Sequence, residues 1–299
     1  MGLVLITPPP VEPVSLAELK QYLRVDAGDT SQDSLILSLA QTGRSEAEVF
    51  TRKRFVQQTW RLYMDFFPGY IDLKIAGAKI SSPFVSGSNA VLVGIRYAIL
   101  LPYPPVNSIL GFQYQDANGT ATQMVQGSDY IADLMSNPAR LTPLFGKMWP
   151  VARVVINAVQ IDYSLGYAIP LTVTTAAASA TVQSSSYQFQ ISDIGRPISI
   201  PFAGPESDYA PSGETLNTVI TAVGSPPNGT ATLRDKAGNA ASGVGALLVN
   251  APAGNSAHWE MIKNAIKLYV SGKYENRLPD ADVIGSFQNA LWPVRDLRM

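Results

Sequence analysis

The chain has 299 residues, 46% of them apolar and 15% charged, with a net charge of −1. That length suffices for one large domain or two ordinary ones with a real core, and near-neutrality excludes a global basic field for holding nucleic acid. Cysteine is absent and His258 is the only histidine, so disulfide frameworks, thiolate metal sites and cysteine nucleophiles are ruled out and one ring is left for any histidine chemistry.

The N-terminal run MGLVLITPPP has no basic residue and is broken at once by Pro8, Pro9 and Pro10, so it does not read as a signal peptide. No stretch is long and apolar enough to span a bilayer. Ser15 and Glu18 have capping-box spacing, and Val14 and Leu19 stand at the positions of a hydrophobic staple; a helix is predicted from there to Leu23 or Arg24. A second helix is expected from Thr30 or Ser31, because Leu35, Ile36, Leu39, Gly43, Ala47 and Phe50 return at helical spacing. Arg44 and Glu48 read as an exposed i,i+4 pair on it. Arg52, Lys53 and Arg54 close it where positive charge is favoured.

From Gln58 the period changes to two. Trp60, Leu62, Met64 and Phe66 alternate with polar residues, which predicts a half-buried strand, and 71–75 repeat the pattern. Residues 76–90 read as a hairpin tip, with strands at 91–101, 106–115, 120–125 and 151–163. Between 171 and 255 the composition turns to Ala, Ser, Thr, Gly and Pro, with alternation at Tyr187, Phe189 and Ile191, at Ile198 and Ile200, and further short strands at 216–223, 230–233 and 246–249. Regular turns separate them, as in a small sandwich or barrel. Asn118 and Asn228 each open an Asn-Gly-Thr sequence, read as a hairpin turn.

Helical spacing returns in Trp259, Ile262, Ile266, Tyr269 and Val270, with Lys263 and Lys267 off that stripe. Residues 276–279 end this helix, and 283–291 form a last short one. The expected fold is α+β: a small helical bundle with a β-hairpin and sheet region, plus an inserted all-β, sandwich-like domain. The segments are a core at 1–170, the insert at 171–255 and a C-terminal helix and tail at 256–299.

Several fragments in order resemble the head–tail connector (adaptor) proteins of tailed bacteriophages: PVSLAELKQYLRVD, AEVFTRKRFVQQTWRLYMDFFP, LPYPPVNSILGFQYQDANGT, DYIADLMSNPARL, VQIDYSLGY, IKNAIKLYVSGKYENR and LWPVR. They cover roughly residues 5–170 and 256–299. The resemblance implies a non-enzymatic virion protein of the neck, made in the host cytoplasm, without cofactor, metal or membrane. Copies of such proteins form a ring, typically twelve-fold, beneath the portal, and double-stranded DNA passes through the lumen without sequence-specific contacts. The C-terminal segment reaches toward the portal. Here that segment supplies Leu291, Trp292, Pro293, Val294, Arg295, Leu297 and Arg298, with Trp292 as the anchor. Lys263 and Lys267 are expected to face the lumen. The insert resembles β modules of phage structural and fibre proteins and would meet tail or fibre proteins.

A different class of function is also open at this level. The insert would bind or cleave carbohydrate, with Tyr187, Phe202 and Tyr209 as sugar platforms and an acid/base pair drawn from Asp193, Glu206, Asp208, Glu214 and Asp235.

Overall fold

A computed structural model describes residues 1–68, 97–206, 213–224, 229–249, 256–276 and 281–295. The strand expected at 71–75, the hairpin tip at 76–90, most of the strand at 91–101, the Asn228 turn, Asp208, Tyr209, the helix end at 277–279, Leu297 and Arg298 lie outside the described residues. The chain divides into two compact units, Met1–Pro8 with Gln58–Leu165, and Pro9–Gln57 with Gly166–Leu297.

The first unit holds two antiparallel sheets. Strands β1 (Gly2–Thr7), β2 (Gln58–Met64), β4 (Val106–Gln115), β5 (Ala121–Gln123) and β8 (Val159–Leu165) form one, in the order β1-β2-β8-β4-β5. Strands β3 (Ile99–Leu101), β6 (Tyr130–Asp133) and β7 (Ala139–Pro143) form the other, in the order β3-β7-β6. Period-two patterning drives this: Leu62 and Met64 of β2 and Val159, Ile161, Tyr163 and Leu165 of β8 turn inward together. Aromatic rings fill the space between. Phe67 stacks on Trp149 at 5.2 Å between centroids, and Phe112 meets Tyr130 edge-on at 5.0 Å. The Trp149 indole donates to the carbonyl of Tyr97 at 2.6 Å, so the one polar atom of this large buried group is satisfied.

One sequence expectation changes here, and one strand is additional to those expected. The strand read at 151–163 begins only at Val159. Residues before it lack a ladder: Arg153 N–H donates to the Gln115 carbonyl, but Val155 N–H turns back to Arg153 and Asn157 adopts a left-handed φ of 60°. The apolar N-terminal run is a strand, β1, because β2 offers it an antiparallel edge from Gly2 opposite Tyr63 to Thr7 opposite Thr59. The turn at Asn118 is as expected: the Asp116 carboxylate accepts from the Asn118 and Thr120 amides, and Gly119 takes φ +86°.

The second unit combines helices and a barrel. Helices α1 (Leu16–Leu23), α2 (Asp33–Thr51), α3 (Ser256–Asn276) and α4 (Ala281–Leu291), with a 3-10 turn at Trp292–Val294, surround one apolar core. Small residues set the approach distances. A Cβ on Gly43 of α2 would stand 2.9 Å from the Tyr269 ring of α3, and one on Gly272 would stand 2.5 Å from Val283 of α4. Strands β9 (Ala168–Thr175), β10 (Thr181–Ser184), β11 (Pro197–Ile200), β12 (Leu216–Val223), β13 (Thr230–Leu233) and β14 (Ala241–Val249) close into a barrel, β10-β13-β12-β11-β14-β9. The insert is therefore a closed barrel rather than a sandwich; closure leaves no open strand edge. Its interior is small, lined by Val173, Val182, Ile198, Ile220 and Leu248 among others. Leu247 and Val249 on the opposite face of β14, with Ala168 of β9, join the helical core, so barrel and helices share a wall.

The alternation at Tyr187, Phe189 and Ile191 does not make a strand. Phe189 is buried and Ile191 is exposed, in a loop closed by a 3-10 turn at Ile191–Asp193. The Arg44–Glu48 pair is not exposed either. Arg44 bridges Glu12 at 2.7 Å and Glu48 at 3.3 Å, and the other Glu48 oxygen accepts from the Phe55 amide at 3.0 Å. This network ties the proline-rich strap before α1, and the chain leaving α2, to the middle of α2.

Candidate functional site

The C-terminal turn is the first candidate, and the fold sorts its residues into two groups. Leu291 and Val294 are buried in the helical core, while Trp292 and Pro293 are exposed. The proline after Trp292 forces the 3-10 turn that produces this alternation. Trp292 is 56% exposed, yet its ring is held in place. It lies 6.3 Å from Phe50 of α2, and the Arg295 guanidinium sits 4.7 Å from the Phe50 ring and 5.3 Å from the Trp292 ring. An aromatic ring presented on a cation–π seat is preorganised for contact, because little side-chain freedom remains to be lost. Arg295 Nε is buried without a hydrogen-bond partner among the described residues. Leu291 and Val294 act by fixing the turn to the core, so a direct docking role does not hold for them.

The second candidate is the lysine pair expected to face a lumen, and the fold draws it inward. Lys263 is fully buried. Its ammonium lies 2.9 Å from Glu18 of α1 and donates to Asn217 Oδ1 of β12 at 3.3 Å. Lys267, one turn on, donates to the same Glu18 oxygen at 2.7 Å. Residues off an amphipathic stripe usually meet water; here the barrel covers that face of α3, and the charges pair inside. The capping box is correspondingly half made. Ser15 Oγ accepts from the Glu18 amide at 3.2 Å, but the carboxylate turns away to the lysines. Burial pushes the Glu18 carboxyl up, and the two ammonium groups with their hydrogen bonds outweigh this and hold it below the usual carboxylate range.

Three of the insert's five candidate carboxylates are also committed. Asp193 is fully buried and accepts from the Tyr187 hydroxyl at 3.1 Å, the Gln190 amide at 2.7 Å and Arg196 at 2.7 Å. Burial, and then the adjoining Asp193 charge, push the Tyr187 phenol up to about 12. Asp235 accepts from Thr218 at 2.8 Å and from Arg234, and Glu214 accepts from Gln21 of α1 at 2.9 Å. Glu206 and Phe202 are exposed. This is the bonding of a barrel plug: Asp193→Ala is expected to cost about 1–3 kcal/mol by stranding Tyr187 and the Gln190 amide, read as a lowered urea midpoint.

A cleft of about 440 Å3 opens beside the barrel, between the strap, α1 and α2. Pro9, Pro13, Leu37, Phe202 and Val244 line it, and its carboxylates, Glu12 and Glu18, already hold cations. His258 stands half-buried near the start of α3. Among the described residues no cluster of His, Asp or Glu has metal-binding geometry, and no helix is long and apolar enough to cross a membrane.

Two features escaped sequence reasoning. The connection from β7 to β8 presents Phe145 and Val154 almost wholly to solvent, with Met148 and Ile156 largely so. Strand β1 exposes Val4, Leu5 and Ile6 in succession. Runs of exposed apolar residues mark contact surfaces; the sequence shows only that these stretches are rich in apolar residues.

No family model matches this chain, and no curated protein matches it either. Its fold does match solved structures over its whole length. A chain from the neck of an empty gene transfer agent (GTA) particle, solved with six-fold symmetry, aligns with TM-score 0.51 at 16% identity, covering 100% of this chain and 97% of that one. A chain from the virion of a native GTA particle aligns with TM-score 0.50 at 15% identity over the same shares. At this identity the likeness is one of fold.

Proposed function

We propose that this chain is a structural protein of a phage-like particle neck, a head–tail adaptor that forms a homo-oligomeric ring beneath the portal. The observation that carries this reading is the end-to-end fold likeness to a chain from a GTA particle neck. The ordered fragments that resemble phage connectors support it independently. A ring built from one chain needs two unlike patches that meet heterologously, and exposed apolar surface is present in the first unit on β1 and on the β7–β8 connection. DNA passes through the lumen, and a near-neutral chain suits that task because strong phosphate binding would retard a moving duplex. The barrel is the docking surface for tail or fibre proteins.

Within this reading Trp292 and Pro293 dock on the portal, with Arg295 holding the tryptophan in place and Leu297 and Arg298 extending the contact. Negative-stain images of the purified chain, alone and mixed with its portal, test the proposal. Rings seated on portals are expected; a chain that stays monomeric and ignores the portal overturns it. Trp292→Ala should weaken portal binding by about 2 kcal/mol, roughly thirty-fold in Kd. The same substitution should cost stability only about 1 kcal/mol or less, because the ring is half exposed.

A further inference from the structure

Among the described residues, β1 and β5 are the two edge strands of the five-stranded sheet of the first unit, and neither carries a charged residue. At one edge, β1 carries Leu3, Val4, Leu5 and Ile6 in a row, and no charged residue precedes Glu12. Val4, Leu5 and Ile6 are each 40–46% exposed. Successive strand residues point to opposite faces, so both faces of β1 are open. At the other edge, β5 lies in a stretch without a charged residue between Asp116 and Asp129, and its pairing with β4 extends through the Met124 amide to the Phe112 carbonyl. Stable monomers often blunt such edges with charge; here β1 has only an irregularity between Leu5 and Thr7 and the prolines that follow it, and β5 only its three-residue length. The smaller sheet uses charge at one of its edges: strand β6 carries Asp133, paired with Arg140.

All four pairings in the large sheet are antiparallel. With five strands, β1 and β5 therefore run in the same direction. Rotation about a ring axis preserves strand direction from copy to copy, so an edge-to-edge junction between β5 and the next copy's β1 is parallel. A two-fold axis would instead join β1 to β1 antiparallel and stop at a dimer.

We infer that β1 of one copy pairs in parallel with β5 of the next, so that the five-stranded sheets form a continuous belt around the ring. The inference rests on the ring reading above. Its scale is consistent: five strands span about 24 Å, and about twelve copies would make a belt roughly 90 Å across.

The absence of cysteine makes the test direct. Paired strands bring Cα atoms to about 5 Å, within disulfide reach. Leu5→Cys combined in one chain with Thr122→Cys, and Val4→Cys with Ala121→Cys, probe one register; Val4→Cys with Gln123→Cys and Ile6→Cys with Ala121→Cys probe the registers two residues to either side. Mild oxidation of the assembled full chain should yield a reducible ladder of covalent oligomers for at least one pair, with each single variant staying monomeric on a denaturing gel. Val4→Lys with Ile6→Lys should raise the concentration needed for assembly at least tenfold while leaving the circular dichroism spectrum unchanged. Dimers from Leu5→Cys alone would show isologous β1 pairing and overturn the inference. Rings in negative stain without a ladder from any pair would overturn it and leave the neck reading standing. Absence of both rings and ladders would remove the two together.

Discussion

Glu18→Gln is expected to lower the unfolding free energy by about 3–5 kcal/mol, the cost of leaving a buried charge without its partner. Among the described residues Glu18 is the single anion paired with Lys263 and Lys267, at 2.9 and 2.7 Å, and Lys263 is fully buried. Urea titration at neutral pH measures the effect. A pH series gives a second readout. The folded carboxyl lies below its ordinary value of 4.5, so its contribution is full above that value and is lost as the pH falls through the depressed folded one. The wild-type chain should therefore lose stability on acidification more steeply than Glu18→Gln in that window. Equal acid slopes and a cost below about 1 kcal/mol, the range of exposed pairs, would show that the cluster is solvated.

Phe112→Ala should destabilise the first unit by a comparable amount, about 3–5 kcal/mol. Its ring meets Tyr130 at 5.0 Å, Trp149 at 5.8 Å and Phe67 at 6.0 Å, joining the large sheet to the small one. Removing it opens a cavity that flat neighbouring rings cannot fill by small shifts. Near-ultraviolet circular dichroism and the urea midpoint together check this, since the Trp149 environment should change with the packing. If the edge junctions depend on a well-formed sheet, the same variant will assemble at higher concentration than wild type.

Local signals in the chain were strong where a few residues decide the outcome. Ser15 caps α1, and Val14 and Leu19 are buried as the staple spacing implies. Strands β4, β12 and β13 occupy the ranges that alternation and turn residues predict. The same logic failed where a pattern lacked a partner. Tyr187, Phe189 and Ile191 alternate without a strand to pair with, and Asp193 gathers that segment into a buried plug instead. The run at 151–158 is apolar but makes no ladder.

The candidate site was legible only as composition. An aromatic, proline-broken tail drew attention to 291–295, but burial of Leu291 and Val294 beside exposure of Trp292 depends on the turn at Pro293 and on Phe50, far away in the chain. Hydrophobic periodicity and capping chemistry act over a few residues, so the sequence alone implies helices, strands and a β-rich stretch at 171–255. Which face of α3 meets the barrel, that Glu18 leaves its helix cap for two lysines about 250 positions away and which strands remain at sheet edges follow from long-range packing. Burial and pairing partners belong to the folded chain as a whole, and one-dimensional spacing carries no record of them.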